Sequence, residues 1–212
     1  MSRISQWMGF KPYFSKKGPK GWETKLAKLE SEATNAPLGF RGQPLNQAGD
    51  LCLKADDHAR ALQYYGRAIN ALLQDEHPEA ARGVATKILR IHPGAIRTLY
   101  TLTWLDLAAH HMASALTHLR EYTEAAERGG QKSRAAEAIV EMAKLVEERE
   151  FLNAAGDALG RLGFYDLADR VHAWADAGGS PDAIHDVAEF RTQCIREAIG
   201  SNDQRKTKGF PA

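Results

Sequence analysis

Eight histidines and a scatter of carboxylates offer the most chemistry in this 212-residue chain. His111 and His118 are spaced to share one helix face, with Glu121 a turn further on. A zinc site wants three or four ligands at tight spacing, such as H-E-x-x-H on one helix. No second pair stands near these two, so the histidines are expected to be structural and no metal is expected. No nucleophile motif accompanies the histidines and acids, and the glycines do not form G-x-G-x-x-G after a strand. Cys52 and Cys194 lie far apart, fit neither metal nor redox spacing, and read as small core residues kept reduced. The expectation is a protein that is not an enzyme and needs no cofactor.

A second kind of chemistry sits at the N-terminus. Trp7, Phe10, Tyr13 and Phe14 are interleaved with basic residues and followed by Lys16 and Lys17. Aromatics beside lysines suit an anchor on a protein partner, a membrane-surface anchor, or stacking on single-stranded nucleic acid. They equally suit packing back on the chain's own first helix. Residues 1–28 hold seven Lys/Arg against one Glu, residues 200–212 hold three against one Asp, and the body between them carries 18 basic and 25 acidic residues. An acidic body repels phosphate, which argues against nucleic acid. One short apolar segment lacks the second signal that membrane anchoring requires. Folding back on the helical body or docking on a protein partner is the expectation for the arm.

The elements that would carry these residues are helical. Ala is abundant, Val and Thr are sparse, and 43% of the chain is apolar, enough to bury a core. No apolar run approaches the ~18 residues of a membrane span. No continuous apolar stretch follows the basic N-terminal residues as a secretory signal would demand, so the expected compartment is the cytoplasm. Residues 1–43 read as an arm, helical only from Lys25 to Thr34, and broken by Pro37, Gly39, Gly42 and Pro44. Residues 44–200 read as the helical body and 201–212 as a basic tail. Turn residues divide the body into helices near 45–55, 58–74, 78–91, 95–109, 112–128, 132–148, 150–162, 165–177 and 182–199.

Within the body one small-residue signature occurs twice. Leu45-x2-Ala48-Gly49-x2-Cys52 and Ala61-x3-Tyr65-x2-Ala68 return as Leu152-x2-Ala155-Gly156-x2-Leu159 and Ala168-x3-His172-x2-Ala175. Small residues at those offsets let two antiparallel helices approach closely. Sliding the chain by 53 or 54 residues also brings Ala48 onto Leu102 and Ala155, and Ala81 onto Ala135 and Ala188. Three units of three helices follow, near 44–93, 95–149 and 150–200, with a ladder of ordinary 34-residue repeats as the alternative. The last helix would cap the stack, with Asp182, Asp186, Glu189, Arg191, Arg196 and Glu197 on its polar face.

The signature resembles the tetratricopeptide (TPR) helix-turn-helix repeat over roughly residues 44–177. Leu45 and Leu152 stand where the family usually has Trp, and Cys52 and Leu159 where Tyr is common. The resemblance implies an all-α protein, a right-handed α-solenoid of TPR-like hairpins gripping a peptide or protein in a concave groove. It also implies that the first helix of each pair lines the groove. Asn46, Asp50 and Lys54 then form one column, Asn153, Asp157 and Arg161 a second of similar chemistry, and Tyr100, Trp104 and Ala108 a central aromatic one, with Arg97 a further groove residue. Asn can hydrogen-bond an extended backbone, and a Trp–Tyr pair can anchor a side chain. The same columns also fit solvated helix faces. The implied function is a non-catalytic adaptor; a structural subunit docked through its aromatic arm is the alternative.

Overall fold

The computed structural model describes residues 20–202. Within them the chain is helical throughout, without a strand. In order come α1 (Trp22–Asn35), α2 (Gly42–Lys54), α3 (His58–Gln74), α4 (Pro78–Ile91), α5 (Ile96–Ala108), α6 (Met112–Arg128), α7 (Lys132–Leu145), α8 (Arg149–Leu162), α9 (Tyr165–Ala177) and α10 (Val187–Asn202). Among the described residues no helix is long and apolar enough to cross a membrane. The α2 helix begins at Gly42, earlier than the prolines suggest. Pro44 sits in its first turn, where a missing N–H forfeits no helical bond.

Each of α2/α3, α5/α6 and α8/α9 is a helical hairpin, while α4 leans on α3 and α5, and α7 on α6 and α8. One turn geometry recurs at six helix ends. A left-handed residue follows the helix, and the next N–H reaches back five residues to a carbonyl. The bonds are Asp57 N to Cys52 O, His77 to Leu72, His111 to Asp106, Gln131 to Ala126, Phe164 to Leu159 and Gly179 to Trp174, all 2.8–2.9 Å. This is the Schellman closure, which satisfies carbonyls a helix end would otherwise strand. Gly130, Gly163 and Gly178 supply the left-handed residue at three ends, but Asp56 (φ 61°), Glu76 (φ 59°) and His110 (φ 53°) supply it at the others.

The small-residue signature has a direct geometric cause. A Cβ on Gly49 would stand 2.5 Å from the Tyr65 ring, and one on Gly156 would stand 2.6 Å from the His172 ring. Each hairpin therefore seats a ring of its second helix on a glycine of its first. The middle hairpin carries Thr103 and Leu119 at the matching positions, both buried, so a smaller side chain accompanies the larger residue opposite.

The centre of the fold is α5. Every residue from Thr98 to Ala108 except Tyr100 is buried, so this helix has no solvent face. Two of its three threonines return their hydroxyls to its own backbone, Thr101 to Arg97 O at 3.0 Å and Thr103 to Leu99 O at 2.9 Å. A helix apolar all round belongs in the middle of a protein.

The last helix departs from the expected order. Rather than capping α8 and α9, α10 returns to pack on α5 and, less extensively, on α3. Asp182 and Asp186 precede the helix instead of lying on its polar face, and Asp186 caps it by accepting the Glu189 N–H at 2.7 Å. A strap over residues 178–186 carries the chain back. Its Ile184 N–H donates to Leu145 O at 3.2 Å, and His185 pairs with Glu147.

Candidate partner-binding face

The central column rides on α5, and α10 covers it. The apolar stripe of α10 is Phe190, Cys194 and Ala198, all buried and one turn apart. The Phe190 ring lies 5.8 Å from His110 beyond the C-terminal end of α5. At the other end Glu197 and Gly200 share a cavity with Ile96, Arg97 and Tyr100. The two helices thus run antiparallel. Trp104, expected on an open groove face, is 0% exposed. A side chain so enclosed cannot meet an incoming partner.

Tyr100 keeps partial access. Its ring meets Trp104 edge-on at 6.2 Å and Tyr122 at 5.8 Å. Burial pushes both tyrosine hydroxyls above their ordinary range, with the Trp104 indole pulling Tyr100 slightly back. These rings line one wall of the cavity, about 330 Å³, which Gly200 leaves unfilled from the α10 side. Burial likewise raises the Cys194 thiol and, less strongly, that of Cys52; both cysteines are unpaired and buried. Neither is a nucleophile in waiting, because a neutral buried thiol is a poor one.

The flanking columns differ from the central one and from each other. Asp50 accepts from the Tyr65 hydroxyl at 2.6 Å and from Lys87 of α4 at 2.6 Å, while Asn46 accepts from the same ammonium at 2.9 Å. Lys87 also stands over the Tyr65 ring at 5.4 Å. The first column is therefore committed to internal bonds, except for Lys54, which is exposed beside Lys25 and Lys28. Asn153 and Asp157 are exposed on α8, the latter 3.5 Å from His172. Arg161 pairs with Glu124 at 3.0 Å and Glu127 at 3.2 Å across to α6. Hydrogen bonds from Lys132 and Arg161 hold the Glu127 carboxyl below its usual range. Trp7, Phe10, Tyr13, Phe14, Lys16 and Lys17 lie outside the described residues.

The histidine pair singled out in the sequence converges on a residue that sequence reasoning passed over. Asp106, 0% exposed, accepts from Arg82 Nε at 2.6 Å and bonds His118 Nδ1 at 2.6 Å, with His111 Nδ1 at 4.0 Å. A buried carboxylate must be paired and hydrogen-bonded to be tolerated, and this ring of donors does that. Among the described residues no group of three or more His, Cys, Asp and Glu is placed to hold a metal ion. The single acid of the leucine-rich segment 96–108 was the available signal for such a cluster.

Comparison of the chain with protein-family models, curated proteins and solved structures finds no match.

Proposed function

We infer that this chain is a non-catalytic adaptor for protein–protein interaction, built from TPR-like hairpins stacked as a right-handed α-solenoid with a partner-binding groove. The observation that carries this reading is the ring-on-glycine contact repeated at matching positions of α2/α3 and α8/α9. Repeated hairpins with one internal contact are the hallmark of a scaffold whose units serve by stacking and presenting surface. The ionisable groups support it too: the buried ones are spent on internal pairs, as Asp106 and Asp50 are. Two buried, unpaired cysteines suit a reducing compartment such as the cytoplasm.

A second reading has one observation in its favour. Trp104, the strongest anchor in the central column, is fully buried, which shifts weight to the N-terminal arm and to a structural subunit docked through it. Capture of partners by the immobilised full chain, with and without residues 1–20 and with Asn153→Ala/Asp157→Ala, separates the two. Both substituted residues are exposed, so stability is expected to change little. An adaptor working through its groove keeps its partner without the arm and weakens with the α8 pair. Loss of the partner on removing residues 1–20 alone supports the subunit.

A further inference from the structure

We propose that Asn153, Asp157 and His172 form a receptor for a primary ammonium group, the lysine side chain of a partner protein. The proposal rests on the adaptor reading and names the group that the α8 face recognises.

The first hairpin shows how this chain holds an ammonium. Lys87 of α4 donates from Nζ to Asn46 Oδ1 at 2.9 Å and to Asp50 Oδ1 at 2.6 Å, and stands 5.4 Å over the Tyr65 ring. Asn46 and Asp50 lie one turn apart on α2, so their oxygens converge on a single nitrogen. The ring, seated on Gly49, supplies the wall that a cation favours. A compact ammonium with three donors suits this arrangement, whereas a planar guanidinium seeks two parallel acceptors on one group.

The last hairpin repeats the arrangement at the same spacings. Asn153 and Asp157 lie one turn apart on α8, and the His172 ring is seated on Gly156. What differs is the third helix. Whereas α4 packs on α3 and delivers Lys87, the residue at the matching offset is Cys194, buried on α10, which packs on α5. His172 meets Asn153 at 3.4 Å and Asp157 at 3.5 Å, the outer limit of such contacts, and the Asp157 side chain stays 81% exposed. Both oxygens therefore keep acceptor capacity for a stronger donor.

The charge of the hairpin points the same way. Its three arginines are engaged elsewhere: Arg149 with Asp176, Arg161 with Glu124 and Glu127, and Arg170 over the Trp174 ring at 5.5 Å. Residues 149–177 carry Glu150, Asp157, Asp166, Asp169 and Asp176 against those three arginines, so this end of the fold attracts a cation. The middle hairpin, with Tyr100, Trp104 and Leu119 at the matching positions, offers no such acceptors.

The test titrates the isotope-labelled full chain with Nα-acetyl-lysine N-methylamide and follows the Asn153 side-chain amide and the backbone amides of 153, 157 and 172 by NMR. Saturable shifts are expected at these groups. Binding is expected to weaken at least threefold, the scale on which an exposed ion pair acts, for the Nε-acetylated compound, for the arginine analogue and in Asp157→Asn. His172→Tyr rebuilds the ring of the first hairpin and is expected to tighten binding at least threefold. Shifts spread evenly over Glu150, Asp166 and Asp169, or equal binding in any of these comparisons, overturn the proposal. Should His172→Tyr not fold, the ratio between the lysine compound and its Nε-acetylated form on the unaltered chain decides. Tighter binding by a chain lacking residues 1–20 and 203–212 would make this chain's own lysines the occupants and overturn the assignment to a partner. Capture that survives acetylation of the partner's lysines overturns the receptor and leaves the adaptor reading standing. Saturable lysine binding with no partner captured removes the adaptor reading instead.

Discussion

Alanine in place of glycine should have opposite effects at positions that a helix wheel treats alike. Gly66 and Gly83 lie inside α3 and α4, and a Cβ on either meets nothing within 4 Å. There Gly→Ala relieves the unfolded chain of freedom and is expected to stabilise by about 0.5–1 kcal/mol. At Gly49 the same change drives a Cβ to 2.5 Å from the Tyr65 ring. That ring has no room to yield: it is 0% exposed, and its hydroxyl is held by Asp50 at 2.6 Å. Overpacking of this sort costs about 1–3 kcal/mol, which outweighs the helix-propensity gain and leaves a net loss of about 1 kcal/mol. At Gly156 the opposing ring is His172, only half-buried, which can swing toward solvent, so the net change should lie near zero. Thermal unfolding reads the series, since 1 kcal/mol moves Tm by about 2–4 °C for a chain of this size. Adding Tyr65→Leu to Gly49→Ala imitates the Thr103/Leu119 arrangement of the middle hairpin and should recover about 1 kcal/mol relative to the sum of the single changes. If Gly49→Ala stabilises as much as Gly66→Ala, the ring-on-glycine explanation of the repeated signature is wrong.

Three further outcomes follow from the geometry. Glu76 holds a left-handed backbone at φ 59°, so Glu76→Gly should raise stability by about 0.5–1 kcal/mol in denaturant unfolding despite glycine's entropy. Asp106→Ala strips the buried partner from Arg82 and His118. It should cost about 2 kcal/mol, below the ~3–5 kcal/mol of a fully buried pair, because Arg82 keeps 30% of its side chain in water. Burial and the hydrogen bond to Glu30 push the Tyr64 hydroxyl up to about 12, against about 10 in an unfolded chain. Its stabilising contribution is whole below pH ~10 and fades as pH rises toward 12, since the unfolded state loses that proton first. Thermal midpoints from pH 9 to 11.5 should fall less steeply in Tyr64→Phe.

The helices and two of the hairpins were legible because alanine, glycine and turn residues act locally, and their spacing survives folding. Gly49 and Gly156 announced a close approach; the structure adds that rings, not backbones, are what they admit. Other features lay beyond a local reading. Asp56, Glu76 and His110 occupy left-handed positions at which glycine is the usual marker, so the sequence placed these three turns but not the left-handed residue in each. The end of α2 nearest the arm was obscured by Pro44, which breaks a helix interior but suits a first turn. Tyr100 and Trp104 looked like one face of an exposed helix when read as a column. The surrounding leucines and Thr98, Thr101 and Thr103 show that α5 has no exposed face to offer. One of the helices that bury it is α10, some 90 residues later in the chain. Periodicity marks which side of a helix is apolar, but not which distant helix that side will meet.

The most direct test of the adaptor account places a photoreactive phenylalanine analogue in the full chain, in place of Asn153 or of Trp7, and maps the adduct formed with the captured partner. The account predicts an adduct from position 153, which is exposed on α8. An adduct from position 7 alone would contradict it.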